Sequence, residues 1–277
     1  MLQQKVSIII PVYNGERYIL DTIESCLNQT HVNIEIVAVD DGSNDNSVKL
    51  IESINHQDLR LGISFICLKN ESNLGLSRTI NRAVNFCSGD LVLILGHDDV
   101  ILPHHVSNML MAWRGRDTSL VYCNASVIDS NGNLIGRKIY NDRKLESKNL
   151  NYLTNISIDN FVPSCGLLFK RKFFLEVGGW DEKFRNYGEW LLWIKLAHKG
   201  SFVFAKTDTA LYRVHTQNIS LTFKNKKVKQ ILKIYFSHCQ KVALSYDLPI
   251  IERLHIYLYR MLVSLYRSLI NNSGVFK

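Results

Sequence analysis

Short apolar runs alternate with helix-period stretches through the first half of the chain. Val6 to Val12, Ile34 to Asp40, Ile63 to Leu68 and Leu91 to Leu95 have the length and the β-branched content of strands. Between them, Glu16 to Asn28, the segment from about Asn46, and Leu76 to Cys87 read as helices. Pro103 opens another, at a position where its missing N–H removes no hydrogen bond. This βαβαβ rhythm predicts an α/β fold, a Rossmann-like, mostly parallel sheet with helices on both faces.

In such sheets ligands bind beyond the carboxyl ends of the strands, and here those positions are polar. Tyr13-Asn14-Gly15-Glu16 follows the first strand, Asp40-Asp41-Gly42-Ser43 ends the second, Asn73-Leu74-Gly75 follows the third and His97-Asp98-Asp99 the fourth. The carboxylates of Asp98 and Asp99 suit a divalent ion whose other positions go to diphosphate oxygens and water; they also suit a helix cap. Asp40-Asp41 reads either as a cap and turn or as an edge completed by a cation or by the donor groups of a ligand.

Further along, Ser130-Asn131-Gly132-Asn133 predicts a hairpin turn between Val127 and Ile135. Gly166 to Phe169 reads as a strand, Glu189 to His198 as a helix stopped at Gly200, and Phe202 to Ala205 as a strand. Two tail helices are expected over about Lys226 to Ser245 and Ile250 to Ile270, split at Asp247-Leu248-Pro249. In the second, Leu254, Leu258, Met261, Leu265 and Leu269 form an apolar stripe and Arg253, Arg260 and Arg267 fall on one edge, the pattern of a basic amphipathic helix. The expected division is one α/β domain over residues 1–222, with halves at about 1–128 and 129–222, and a tail over 223–277.

Charge sharpens that division. Of the net +8 of this 277-residue chain, all resides in the tail, where ten Lys and Arg face two Asp and Glu. An anionic surface is therefore one expected partner of the tail; packing on the domain with its charge merely solvated is the other. Nucleic acid is not expected, because the acidic sheet edge repels a phosphate backbone there. No apolar run approaches the roughly 20 residues of a spanning helix, and the run after Lys5 lacks a signal peptide's length and cleavage pattern. A cytoplasmic location, possible on the inner membrane face, is expected. The six irregularly spaced cysteines read as reduced, buried thiols. A nicotinamide dehydrogenase is excluded by the lack of a Gly-x-Gly-x-x-Gly turn after the first strand.

The segments VSIIIPVYNG (6–15), DDGS (40–43), NLGLSRTIN (73–81), GDLVLILGHDDVILP (89–103), GGWDE (178–182) and YRVH (212–215) resemble, in order and spacing, the family 2 glycosyltransferases of GT-A fold, over about residues 5–220. The resemblance implies transfer of a sugar, with inversion, from a nucleotide-sugar donor, most often a UDP-sugar, to a glycan or lipid-linked acceptor in cell-surface polysaccharide synthesis. It implies that Pro11, Tyr13 and Glu16 line the nucleotide pocket, that Asp41 contacts the base, and that Arg78 lies near the donor. Asp98 is then expected at the ribose or sugar and Asp99 at a divalent metal, Mn²⁺ or Mg²⁺, with His215 approaching the metal and diphosphate.

The family's catalytic base sits in a Glu-Asp pair that opens a helix. By register Glu189 occupies the aspartate position, Gly188 replaces the acidic neighbour, and Gly96 stands where many members carry the first acid of an Asp-x-Asp-Asp run. A glutamate can abstract the same proton from one methylene further out, and a misplacement of that order can cost ~10²-fold in rate. A catalytically degenerate scaffold is the alternative these departures raise.

Overall fold

The computed structural model describes residues 4–54, 59–218, 225–259 and 261. Its first part runs β1 (Val6–Val12), α1 (Ile19–Leu27), β2 (Ile34–Asp40), α2 (Ser47–Glu52), β3 (Ile63–Lys69), α3 (Leu76–Phe86) and β4 (Leu91–Ile94). β1 lies parallel between β2 and β4, and β3 extends β2. All seven residues of β2 are buried, as a strand covered on both faces requires. Alternate side chains enter opposite cores: Ile9, Val37 and Val39 pack with α3 and the later helices, while Ile8, Ile10 and Ile36 pack with α1.

The second part begins with β5 (Val100–Ile101) and α4 (His105–Ala112), then the hairpin of β6 (Thr118–Ile128) and β7 (Leu134–Lys138). The predicted turn at Ser130–Asn133 joins the hairpin, with Asp129 Oδ1 accepting from the N–H groups of Asn131 and Asn133. After α5 (Asp142–Leu150) and α6 (Tyr152–Ile158) come β8 (Leu168–Lys170), α7 (Arg171–Glu176), a 3-10 turn over Glu182–Tyr187, α8 (Glu189–Ala197), β9 (Ser201–Arg213) and α9 (Lys226–Ser245). The sheet order is β3-β2-β1-β4-β8-β6-β9-β5, with β7 beside β6. Parallel pairing ends at β4, because β8 returns antiparallel to both β4 and β6; β9 then runs parallel to β6. The sheet is therefore mixed beyond its first four strands.

Several elements exceed the sequence reading, α5, α6 and α7 among them, and two bear on the site. β9 continues past Ala205 to Arg213, because its polar positions Lys206 and Asp208 point away from the core and pair with Glu146 and Lys138. β5, too short to read as a strand, follows Asp99 directly and pairs antiparallel with Leu211 and Ala210 of β9. This pairing joins the loop after β4 to the end of β9. α8 ends at Ala197, ahead of Gly200, where a Cβ would lie 2.2 Å from the Asp117 carbonyl oxygen and only glycine fits.

α9 packs on the domain through Tyr235, Cys239 and Ala243, in the core that holds Trp190 and Leu191. The Tyr235 hydroxyl accepts from the Leu191 N–H at 2.8 Å, satisfying a donor in the first turn of α8. Residues 250–259 and 261 are helical; Arg260 and Arg267 lie outside the described residues. No helix among the described residues is long and apolar enough to cross a membrane. The six cysteines are free thiols, and burial pushes Cys26, Cys87, Cys123 and Cys239 up to about 12.

One buried carboxylate knits the parallel strands. Glu35 of β2 accepts from Ser7 Oγ of β1 at 2.5 Å, from the N–H and Oγ of Ser88 before β4 at 2.9 and 2.7 Å, and from Lys5 Nζ at 3.1 Å. Burial would raise its pKa, but these donors outweigh it and hold the group down at about 2. Unfolded, a glutamate titrates near ~4.3, so the cluster adds stability above that pH and loses it as the pH falls through about 2. Glu35→Gln is expected to lower stability at neutral pH by ~2 kcal/mol. In urea titrations the gap to the wild type should narrow as the pH is taken down from ~5; a gap independent of pH would contradict this assignment.

Candidate active site

A cavity of about 540 Å³ opens at the carboxyl edge of the parallel strands, with Pro11 near the end of β1, Tyr13 just after it, Asp41 after β2 and His97 and Asp98 after β4 in its wall. The register explains this gathering, because Val12 pairs with Asp40, Asp40 with Lys69 and Ile9 with Ile94, so the strands end at nearly one level. The opposite wall comes from the second part of the chain, through Asn186, Tyr212, His215 and Asn218.

Asp41 is buried, and its carboxylate shapes the wall. Oδ1 accepts from Asn70 Nδ2 and from the N–H of Leu74, both at 2.8 Å, and Oδ2 accepts from the N–H of Gly75 at 2.9 Å. Gly75 has φ 88°, a left-handed value that a side chain disfavours, and from there the chain enters α3. Oδ2 retains room for one further donor, and Asp41 lines the cavity.

At Asp98-Asp99 adjacent carboxylates face different surroundings. Asp98 lines the cavity, and its Oδ2 accepts from His215 Nε2 at 2.8 Å and from Asn218 Nδ2 at 3.3 Å. His215 Nδ1 accepts from the Gln217 N–H at 3.2 Å, which leaves the ring proton on Nε2, toward Asp98. Asp99 is buried and outside the cavity wall; its Oδ1 accepts from the Arg213 N–H at 3.0 Å. Burial, then the neighbouring Asp98 charge, pushes its pKa well above the usual carboxylate range. Asp98 is the carboxylate that lines the cavity; Asp99, the one expected at a metal, does not. Gly96 permits this arrangement, since a Cβ there would lie 2.8 Å from Asp98 Oδ1.

Arg213 braces the same loop and was not singled out from the sequence. Its side chain is 2% exposed, Nε donates to the Asp98 carbonyl at 2.8 Å, and NH2 pairs with Asp21 at 3.2 Å. The guanidinium also lies 4.7 Å from the centre of the Tyr18 ring, which in turn lies 4.9 Å from that of His215. Such contacts span more than a hundred residues of sequence and leave no local signal. Arg17, another residue the sequence reading passed over, lines the cavity from the loop that leads into α1; a basic residue among polar loop positions was the available sign.

Besides Asp99, three expected residues stand outside the main cavity wall: Glu16, Arg78 and Glu189. Glu16 lines only a smaller adjoining cavity of about 420 Å³, where its Oε2 accepts from the N–H and Nδ2 of Asn46, both at 2.9 Å, tying two loops together. Arg78 is exposed and paired with Glu182 at 2.9 Å, outside the main cavity wall.

Glu189 opens α8 three residues beyond Asn186. Its Oε1 accepts from Asn160 Nδ2 at 2.8 Å and its Oε2 from Ser164 Oγ at 2.5 Å. Burial raises its pKa, with those two donors pulling the other way. A side chain at Gly188 would collide with Trp180, whose Nε1 lies 2.1 Å from the position of a Cβ. The indole thus fills the space of the missing acidic neighbour.

The family model for Glycosyl transferase family 2 matches residues 7–176, more than half of the chain. The chain belongs to glycosyl transferase family 2. An uncharacterized glycosyltransferase of Rickettsia felis is 31% identical over 223 residues, covering 79% of this chain and 36% of the relative. Chondroitin synthase of Escherichia coli is 30% identical over 224 residues, covering 78% and 30%. The chain spans about a third of the length of these two relatives. Among solved structures, residues 1–349 of S. aureus TarS in complex with UDP-GlcNAc have a TM-score of 0.67 at 16% identity, covering 88% of this chain and 68% of that one. The mannosyltransferase PcManGT of Pyrobaculum calidifontis, in complex with GDP-Man and Mn²⁺, has 0.62 at 14%, covering 96% and 83%. The shared architecture of this family 2 glycosyltransferase chain is the GT-A fold.

The contrast between the two carboxylates predicts different costs for their neutral replacements. Asp99→Asn keeps an acceptor for the Arg213 N–H and removes a charge that burial already disfavours, so thermal unfolding at neutral pH should shift by less than ~1 kcal/mol. Asp99→Ala orphans that N–H and should cost ~1–3 kcal/mol. Equal losses in both variants would contradict the structural role assigned to Asp99.

Proposed function

We propose that this chain is an inverting, metal-dependent glycosyltransferase. It moves a sugar from a nucleoside-diphosphate donor, a UDP-sugar, to a hydroxyl of a glycan or lipid-linked acceptor in cell-surface polysaccharide synthesis. The observation that carries the reading is the single cavity lined by both Asp41 and the Asp98–His215 pair. The UDP-GlcNAc held by TarS and the name of the chondroitin synthase relative support the donor class and the polymer setting. GDP-Man in PcManGT makes guanosine donors the comparison to test.

In this reading Pro11 and Tyr13 flank the base and the free acceptor site of Asp41 Oδ2 takes a base N–H, as the uracil ring offers. Arg17 lies on the cavity wall where a diphosphate would need positive charge. Both sequence halves build the site, the first giving the nucleotide wall and the second Asn186 and His215.

Among the described residues no three His, Cys, Asp or Glu side chains gather into a metal cluster. Asp98 nevertheless fits an ion completed by ligand oxygens, since its Oδ1 has no hydrogen-bond partner among the described residues; His215 would join such an ion only by giving up the Nε2 proton it now donates to Asp98. A bound divalent ion there would neutralise charge developing on the leaving diphosphate.

The acceptor hydroxyl oxygen attacks the anomeric carbon from the face opposite the diphosphate, a bond forms there, and the carbon–oxygen bond to phosphate breaks with its electron pair leaving on the diphosphate. Glu189 takes the hydroxyl proton. Its carboxylate is oriented by Asn160 and Ser164, and its raised pKa makes it a stronger base than an exposed glutamate. The Tyr235 hydroxyl, by satisfying the Leu191 N–H, steadies the turn that carries it.

Release of UDP or GDP from a panel of nucleotide sugars, measured by coupled assay, tests the reading. Glu189→Gln should lower kcat ~10²- to 10⁴-fold with nucleotide affinity unchanged. Because the base works ionised, wild-type kcat should fall with decreasing pH through a limb set above the ~4.3 of a free glutamate. Turnover by Glu189→Gln at the wild-type rate would overturn the assignment, and nucleotide binding without any turnover would favour the degenerate scaffold.

A further inference from the structure

The helix over residues 250–259 has two faces with opposite fates. Ile256 is fully buried, and Glu252 and Arg253 are partly so, which seats one face on the rest of the chain. Across from it, Ile250, Ile251, Leu254, Tyr257, Leu258 and Met261 are between 53% and 77% exposed. At 3.6 residues per turn these six fall within an arc of about 120°, and Ile256 lies nearly opposite its middle. A contiguous apolar stripe of this kind, presented away from the domain that anchors it, marks an interaction surface.

The charge of the tail that carries the stripe selects the occupant. Residues 224–277 carry ten Lys and Arg against two Asp and Glu, while the remaining 223 residues balance. On α9, Lys227, Lys229, Lys233 and Lys241 are exposed and form no salt bridge among the described residues. A second copy meeting the stripe would bring two tails of net +8 together, which opposes self-association. An anionic lipid surface offers both halves of the match: acyl chains for Leu254, Leu258 and their neighbours, and phosphate headgroups for the lysines.

We propose that the exposed face of this helix docks the protein on an anionic bilayer, with the apolar stripe inserted at the headgroup boundary and the lysines drawn to the lipid phosphates. The site is separate from the donor cavity, whose lining residues end at Asn218. The proposal therefore does not depend on the transfer reading, though it would set the cavity beside lipid-linked acceptors.

The test is flotation of the full chain with vesicles of phosphatidylcholine alone and of phosphatidylcholine with phosphatidylglycerol. Wild-type protein should float with the anionic vesicles, lose most of that binding in high salt, and stay with the buffer when vesicles are neutral. Leu254→Glu with Leu258→Glu should reduce partitioning at least ~10-fold, because each change removes a side chain that enters the lipid and adds a charge that must stay in water. UDP binding by the same variant, unchanged from wild type, shows the fold intact and reads the donor site separately. The proposal is overturned by wild-type protein that ignores anionic vesicles, by a double variant that binds them as well as wild type, or by a wild-type dimer in sedimentation equilibrium that the double variant dissociates.

Discussion

Everything at the site depends on the parallel register of β1, β2, β3 and β4. That register levels the carboxyl ends of the four strands, so Tyr13, Asp41, Asn70 and Asp98 come from distant stretches of sequence to a single edge. The backbone ladder alone does not distinguish this register from a slip. What holds it is apolar alternation into two separate cores, reinforced by Glu35, which accepts hydrogen bonds from the two segments flanking it and would lose them on any shift.

A second constraint closes the cavity. The antiparallel β8 reverses the sheet, and β9 then travels thirteen residues to deliver Arg213 and His215 against the loop after β4. Pairing of the two-residue β5 with β9 fixes which carboxylate faces where: Asp99 turns inward to the Arg213 N–H and Asp98 turns to the cavity and His215. α9 contributes from the other side by packing under α8 and capping its first turn with Tyr235, so the tail supports the helix that carries Glu189.

The first four strands and their helices were legible because a doubly covered parallel sheet demands continuous apolar runs, and the polar residues that interrupt them at strand ends stand out. Tyr13, Asn14, Asp41, Asn73, His97 and Asp98 of the cavity wall were found that way. The division of labour between Asp98 and Asp99 was not legible, since a tight turn, closed by the Asp99 N–H on the Gly96 carbonyl, separates the two directions and Arg213, 114 residues away, holds Asp99 inward. Glu16 and Arg78 sit among the polar residues of the right loops, yet each is held by a partner, Asn46 and Glu182, that only the folded chain brings near. The departure at Gly188 acquires a physical meaning only beside Trp180, which takes up the space a side chain would need.

The account stands or falls on Asp98 as the cavity's acidic anchor for a metal-bound diphosphate. Calorimetric titration of UDP into the purified protein, with and without Mn²⁺, measures this directly when wild type, Asp98→Ala and Asp99→Asn are compared. The prediction is Mn²⁺-dependent binding that Asp98→Ala loses by at least ~10-fold, about 1.4 kcal/mol, and that Asp99→Asn retains. Undiminished Mn²⁺-dependent binding by Asp98→Ala, with loss in Asp99→Asn, would contradict it and return the metal to the buried carboxylate.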